Sequence, residues 1–258
     1  MKPSTLWCSL ALLFGWLLVP GAQAAKGIIQ FSADAIQRTP DRPPMQARIH
    51  VGADAVRSEY EMDGQRFIEI VRKGERVLIN PARKEYLIQP GGGAPLPQRQ
   101  TPAPPGTSPC QGVPGVTCHL LGKETVNGRA AEKWEFVAQA NGREVRSLHW
   151  IDVKKRFPVR QLFPDGSLVE MRLTGHETLD GRKVEKWEVR QTRPDGQTRV
   201  SWQWHDPRLH IAIREALPGG YVRELKHIRV GPQDPALFRI PAGYRPITPA
   251  ASLPPAGH

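Results

Sequence analysis

GKETVNGRAAEKWEF, residues 122–136, and GHETLDGRKVEKWEV, residues 175–189, are two copies of one segment. Gly, Glu, Thr, Gly, Arg and the run Glu-Lys-Trp-Glu recur at an offset of 53 residues (175 − 122). After a one-residue insertion the likeness continues. Asn141-Gly142 aligns with Asp195-Gly196, Trp150 with Trp204, and Asp152 with Asp206. Val159-Arg160 then aligns with Ile213-Arg214, Pro164-Asp165-Gly166 with Pro218-Gly219-Gly220, and Glu170-Met171 with Glu224-Leu225. Each copy holds four alternating apolar runs of strand length parted by turn dipeptides, the pattern of consecutive hairpins. The period also fits a propeller blade. Two copies cannot close a propeller, so they read as two meanders of one larger sheet.

The stretch before the repeat is β as well. Residues 27–37 place Ile29, Phe31, Ala33 and Ala35 on one side of an extended strand. A hairpin follows across Gly52-Ala53-Asp54, then a tight turn at Asp63-Gly64, runs at Phe67 to Val71 and Val77 to Ile79, and a last run at Tyr86 to Ile88. This predicts an up-and-down meander of about six strands rich in β-branched and aromatic residues. From Pro90 to Thr117 the pattern collapses, because 14 of these 28 residues are Pro or Gly and neither a helix nor a central strand tolerates them. The stretch is a crossover within one continuous sheet or a linker between two domains. Asp234 to Tyr244 reads as a short helical turn and a final strand or hook.

The N-terminus, MKPSTLWCSLALLFGWLLVPGAQAAKG, has Lys2 at its head, an apolar run from Leu6 to Val19, and the small-x-small site Ala22-Gln23-Ala24. That is the pattern of a secretory signal peptide, and the apolar run is short for a membrane span. The expected division is a signal peptide at 1–24, a β-meander at 25–89 and a Pro/Gly-rich loop or linker at 90–117. The duplicated meander follows at 118–247, with a disordered tail at 248–258. After cleavage two cysteines remain, Cys110 and Cys118. In an oxidising compartment they read as one disulfide, which would contribute roughly 2–3 kcal/mol by loop closure. Their spacing is not that of a zinc or redox pair.

Net charge is +11. On an exported protein this favours anionic envelope surfaces over nucleic acid, and it supports weak association rather than a specific site. No glycine loop of phosphate-binding pattern occurs, and no Gly-x-Ser-x-Gly elbow accompanies Ser147, Ser201, Asp152 or Asp206. His149, His205 and His210 do not occupy matching places in the two copies, so no metal site is expected. Glu132, Glu135, Glu185 and Glu188 stand beside Lys133 and Lys186 and read as cross-strand ion pairs rather than a glycosidase pair. Alternation places Leu148 with Trp150 on one face. It places Val200, Trp202 and Trp204 on the equivalent face of the second copy, with Trp134 and Phe136 matched to Trp187 and Val189. The expectation is a continuous apolar concave face opposite a face of Arg, Glu, Gln and Lys.

The phrases VRSEYEMDGQRFIEIVRKGERVLINPARKEYLI (56–88), GRAAEKWEF (128–136) and FRIPAGY (238–244) lie in a strand meander over residues 27–247. Together they resemble the LolA/LolB-like superfamily of periplasmic lipoprotein carriers, in particular its exported bacterial members with a domain of unknown function. The resemblance implies an all-β fold, a strongly curved antiparallel sheet forming an incomplete barrel around an apolar cavity. It also implies a periplasmic, non-enzymatic protein that holds a lipid or a lipoprotein acyl group without a cofactor. The cavity wall would be Trp134, Phe136, Leu148, Trp150, Trp187, Trp202 and Trp204, with rim arginines such as Arg57, Arg66 and Arg160 on a headgroup. The alternative is an envelope interaction or stress-sensor protein with a filled core and no small ligand.

Overall fold

The computed structural model describes residues 29–247 apart from 73, 91–105, 112 and 141. The expected signal peptide, most of the Pro/Gly-rich stretch and the tail at 248–258 lie outside the described residues. The first meander is β1 (Phe31–Arg38), β2 (Met45–Val51), β3 (Ala55–Met62), β4 (Gln65–Arg72), β5 (Glu75–Asn80) and β6 (Glu85–Pro90). The first repeat supplies β7 (Val116–Val126), β8 (Arg129–Ala140), β9 (Arg143–Asp152) and β10 (Pro158–Leu162). The second supplies β11 (Leu168–Leu179), β12 (Arg182–Thr192), β13 (Thr198–Asp206) and β14 (Ile211–Leu217), and β15 (Tyr221–Val230) follows. A four-residue 3-10 turn at Pro235–Phe238 and β16 (Arg245–Pro246) complete the described chain.

All sixteen strands belong to one curved, unclosed sheet ordered β16-β6-β5-β4-β3-β2-β1-β15-β14-β13-β12-β11-β10-β9-β8-β7. The halves join where β1 pairs antiparallel with β15, Phe31 opposite Val230 and Arg38 opposite Val222. The sheet is antiparallel except where β16 runs parallel to β6, so it is mixed rather than wholly antiparallel. Among the described residues the free edges are β7 at one end and β16 with β6 at the other.

The repeated letters specify repeated geometry. The tips at Asn127-Gly128 and Asp180-Gly181 both carry positive φ at their two central residues, 49° and 77° in the first, 48° and 73° in the second. These are hairpin turns of the kind Asn-Gly and Asp-Gly favour, because their twist matches that of the flanking strands. Bulges recur too. The register slips between Leu120 and Gly122 in β7, and between Leu173 and Gly175 in β11. It slips again beside Val159 and beside Ile213, and both of these side chains are buried in core clusters. Bulges bend and twist a sheet, so the duplication sets its curvature.

Burial is divided among four clusters rather than spread over one face. Phe31, Ile49, Val51 and Tyr60 pack with Val184, Trp204, Leu209 and Ile213 across the seam between the halves. Ile68, Ile70, Val77 and Ile79 are capped by Phe238 from the 3-10 turn. Val126, Trp150, Val159 and Trp187 form a third cluster, and Cys110, Trp134, Phe136 and Ile151 a fourth.

Candidate functional site

Cross-strand partners in an antiparallel pair point to the same side of the sheet. Trp134 lies opposite His149, and Lys133 opposite Trp150. Trp187 lies opposite Gln203, while Lys186 and Glu188 lie opposite Trp204 and Trp202. The register therefore puts Trp134, Phe136 and Trp187 on one face and Leu148, Trp150, Trp202 and Trp204 on the other. Alternation within each strand was legible, but the odd-to-even pairing between strands was not; the expected wall residues are shared among three buried clusters, Leu148 and Trp150 with Trp187, Trp202 with Trp204, and Trp134 with Phe136.

The face carrying Trp150 and Trp204 is charged. Trp150 lies between the Lys133 ammonium, 5.0 Å from its ring centroid, and the Arg160 guanidinium at 5.5 Å. Its indole Nε1 donates to Glu124 Oε2 at 2.6 Å, and Lys133 Nζ donates to the other oxygen of Glu124 at 3.0 Å. Arg160 in turn donates to Glu170 Oε1, its Nε 2.9 Å away. The second copy repeats the row. Lys186 and Arg214 sit 5.2 Å and 4.8 Å from the Trp204 ring. Trp204 Nε1 donates to Glu177 Oε2 at 2.7 Å, and Lys186 Nζ to Glu177 Oε1 at 2.8 Å. A ladder Glu-Lys-Trp-Arg-Glu thus crosses five strands twice: Glu124, Lys133, Trp150, Arg160, Glu170, and then Glu177, Lys186, Trp204, Arg214, Glu224. The Trp150 N–H and Lys133 hold Glu124 below the usual carboxylate range, and Lys186 and the Trp204 N–H do the same to Glu177. Each cation over an indole is worth roughly 0.5–1 kcal/mol at an exposed site and more when desolvated.

The remaining shared letters have structural partners. Arg129 and Arg182 pair with Asp152 and Asp206, each 1% exposed. Asp152 Oδ1 also accepts the N–H groups of Lys154 and Lys155, and Asp206 Oδ1 those of Arg208 and Leu209, so each aspartate pins the turn that follows its strand. Glu132, on the Trp134 face, is fully buried and accepts from Arg156 at 2.8 Å and from Gly106 N at 2.8 Å. Burial alone would raise its carboxyl, but Arg156 and the Gly106 N–H outweigh burial and hold it low. Glu185 is its counterpart, paired with Lys155.

Cys110 and Cys118 form a disulfide, their Cα atoms 5.7 Å apart, beside Trp134 and Phe136. The expected rim arginines are engaged elsewhere. Arg57 is buried against Glu59 and the Leu237 carbonyl, Arg66 pairs with Glu59, and Arg160 belongs to the first ladder. His149 bonds Ser147 and Gln161, and His205 bonds Gln203; burial depresses both imidazoles to about 4. Asp152 is on the face opposite His149, so no Ser-His-Asp set assembles. Among the described residues no cluster of three or more His, Cys, Asp or Glu is arranged to hold a metal.

Sequence reasoning missed Glu124, Glu170, Glu177, Arg214 and Glu224 as parts of one feature. The signal was present, since each of these letters recurs at the repeat offset. In these two rows the charges balance in the first ladder, with Lys133 and Arg160 against Glu124 and Glu170. In the second they do not, because Arg38 and Lys226 both approach Glu224, at 2.5 Å and 3.5 Å. Four cations there (Lys186, Arg214, Arg38, Lys226) meet two carboxylates (Glu177, Glu224), an excess of two.

No protein-family model matches the sequence, and no curated protein matches it. Solved structures similar to the chain include a LolA superfamily protein from Nitrosomonas europaea, at 12% identity and TM-score 0.39, covering 84% of this chain and 92% of that one. A DUF1329 family protein from Desulfovibrio piger is similar at 12% identity and TM-score 0.38, over 83% and 90%. A putative outer membrane lipoprotein-sorting protein domain from Vibrio parahaemolyticus is similar at 12% identity and TM-score 0.34, over 82% and 90%. Each is a likeness of fold.

Proposed function

We propose that the protein is an exported, non-enzymatic binding protein of the cell envelope that holds a lipid or an acylated lipoprotein by its charged end. The contact lies on the face of the sheet that carries the excess cations. The observation that carries this reading is the pair of charged ladders around Trp150 and Trp204. Trp150 and Trp204 are buried between cations and bonded to carboxylates, so an acyl chain laid against them would have to displace charges from their partners, which is costly. An anionic headgroup meets the same face favourably. The leader pattern, the disulfide and the net charge of +11 support an oxidising, envelope location.

A second reading, an envelope interaction or sensor protein with a filled core, is supported by the packing of Trp134, Phe136 and Trp187, at 3%, 8% and 0% exposure. Two measurements separate the readings. Extraction of the purified protein into organic solvent with mass spectrometry reports bound lipid, and co-sedimentation reports binding to vesicles of phosphatidylcholine with and without phosphatidylglycerol. Binding that requires phosphatidylglycerol supports the first reading. No extracted lipid and no sedimentation with either vesicle would overturn it in favour of the second.

A further inference from the structure

We propose that the second ladder is a binding site for a phosphate group, held by Arg214 together with Arg38 and Lys226. The two ladders are copies, and their difference is the evidence. In the first, the Arg160 guanidinium is closed off by Glu170, to which both its Nε and an Nη reach, at 2.9 and 2.8 Å. In the second, the counterpart Glu224 is taken by Arg38 at 2.5 Å, with Lys226 at 3.5 Å. Arg214 still lies opposite Glu224 in the register and over Trp204. Its Nε is nevertheless shut from solvent with no hydrogen-bond partner among the described residues. The other such atom among the described residues, Arg76 Nε, has a carboxylate oxygen in contact, Glu69 Oε1 at 2.7 Å. A buried guanidinium N–H without an acceptor is costly, and most such groups in native proteins have a partner.

Arg38, Lys226 and Arg214 all act on the Glu224 carboxyl, which desolvation would raise and which Arg38 foremost holds low. Two cations from adjacent strands thus contact one carboxylate, and Arg214 lies opposite it on the third strand. A tetrahedral oxyanion placed among them supplies several acceptors at once and neutralises the excess of two charges counted above. A phosphate group fits both requirements, with guanidinium forks suited to its oxygens. The site exists only at the seam between the halves, because Arg38 comes from β1 and the other two from β14 and β15. The first ladder has no such seam and its charges are balanced.

The phosphate could be free or part of a lipid headgroup. The second source rests on the function proposed above, and the test separates the two. Inorganic phosphate is titrated into the full-length mature protein by calorimetry, against sodium chloride at matched ionic strength to remove general screening. Wild type is expected to bind phosphate beyond the chloride control. Arg214→Gln is expected to weaken it about tenfold, the loss of one charge-assisted contact. Arg38→Gln should weaken it similarly; this side chain is 43% exposed, so its removal is tolerated by the fold. Arg160→Gln, in the balanced ladder, should leave affinity unchanged, with thermal melts confirming that each variant is folded. Wild-type affinity in Arg214→Gln, equal losses in the Arg214 and Arg160 variants, or binding no stronger than chloride would each overturn the proposal. Phosphate binding lost in Arg214→Gln while neither vesicle is bound would uphold the site and sink the envelope-lipid reading. Phosphate binding lost in Arg214→Gln with undiminished binding to phosphatidylglycerol vesicles would uphold the site for free phosphate and exclude the headgroup as its source.

Discussion

Replacing Asp206 by alanine tests the logic of the duplicated unit directly. Asp206 is 1% exposed and ends β13. One carboxylate oxygen takes the Arg182 guanidinium, and the other takes the N–H groups of Arg208 and Leu209 at 2.7 and 3.2 Å. Alanine leaves a largely buried guanidinium without its counter-charge and frees a turn whose Leu209 is core. Removing one member of a buried pair costs about 3–5 kcal/mol. The Arg182 side chain keeps 20% exposure and can turn towards water, so the lower end, about 3 kcal/mol, is expected. Asp206→Asn preserves an acceptor for the two N–H groups and loses only the charge, and should cost about 1.5–3 kcal/mol. Urea unfolding at pH 7 measures both, with the midpoint falling and the slope unchanged. Asp152→Ala should behave as Asp206→Ala does, because the two sites are copies. A loss below about 1 kcal/mol for Asp206→Ala, the size of a surface pair, would refute the claim that these aspartates anchor the repeat.

The buried histidines predict acid sensitivity. His149 and His205 titrate near 6.5 when unfolded and at about 4 when folded. Their stabilisation is therefore complete above pH 6.5 and lost as pH falls through 4, at most about 3 kcal/mol each; unfolding curves between pH 7 and 4 should flatten in a His149→Gln, His205→Gln double variant. Reducing Cys110–Cys118 should cost roughly 2–3 kcal/mol and red-shift the emission of Trp134, which packs beside it, read by denaturation and fluorescence with and without reductant. Gly52→Ala puts a methyl 2.7 Å from the Phe238 ring; expelling that ring should cost about 1–3 kcal/mol, seen as a lower melting temperature and faster proteolysis after residue 231. Trp204→Phe removes the N–H to Glu177 and weakens two cation contacts, so it should destabilise more than Trp202→Phe, whose half-buried ring meets Lys186 alone among the described cations.

The strands were legible because period-two alternation and the Asn-Gly and Asp-Gly turns are local signals. Register is not local. Whether Trp134 faces Trp150 or His149 depends on one residue of slip between β8 and β9, and such a slip exchanges the faces. Bulges at Leu121, Val159 and Thr174 changed the pairing further, and no turn residue marks them apart from the neighbouring glycines. The ladder residues were visible as repeated letters, yet charged residues on alternating strands are ordinarily solvated pairs, so their meeting across five strands required coordinates. The seam between β1 and β15 brings Arg38 to Glu224 over 186 residues of sequence, and no pattern in either segment announces it.

What the ladder-bearing face touches decides between headgroup and acyl-chain binding. Vesicles of phosphatidylglycerol with brominated acyl chains test it, since bromine quenches indoles only on contact. The protein is expected to sediment with these vesicles while its tryptophan emission is little changed, the headgroup being held and the chain kept away from Trp150, Trp202 and Trp204. Strong quenching on binding would place acyl chains against the indoles and contradict that expectation.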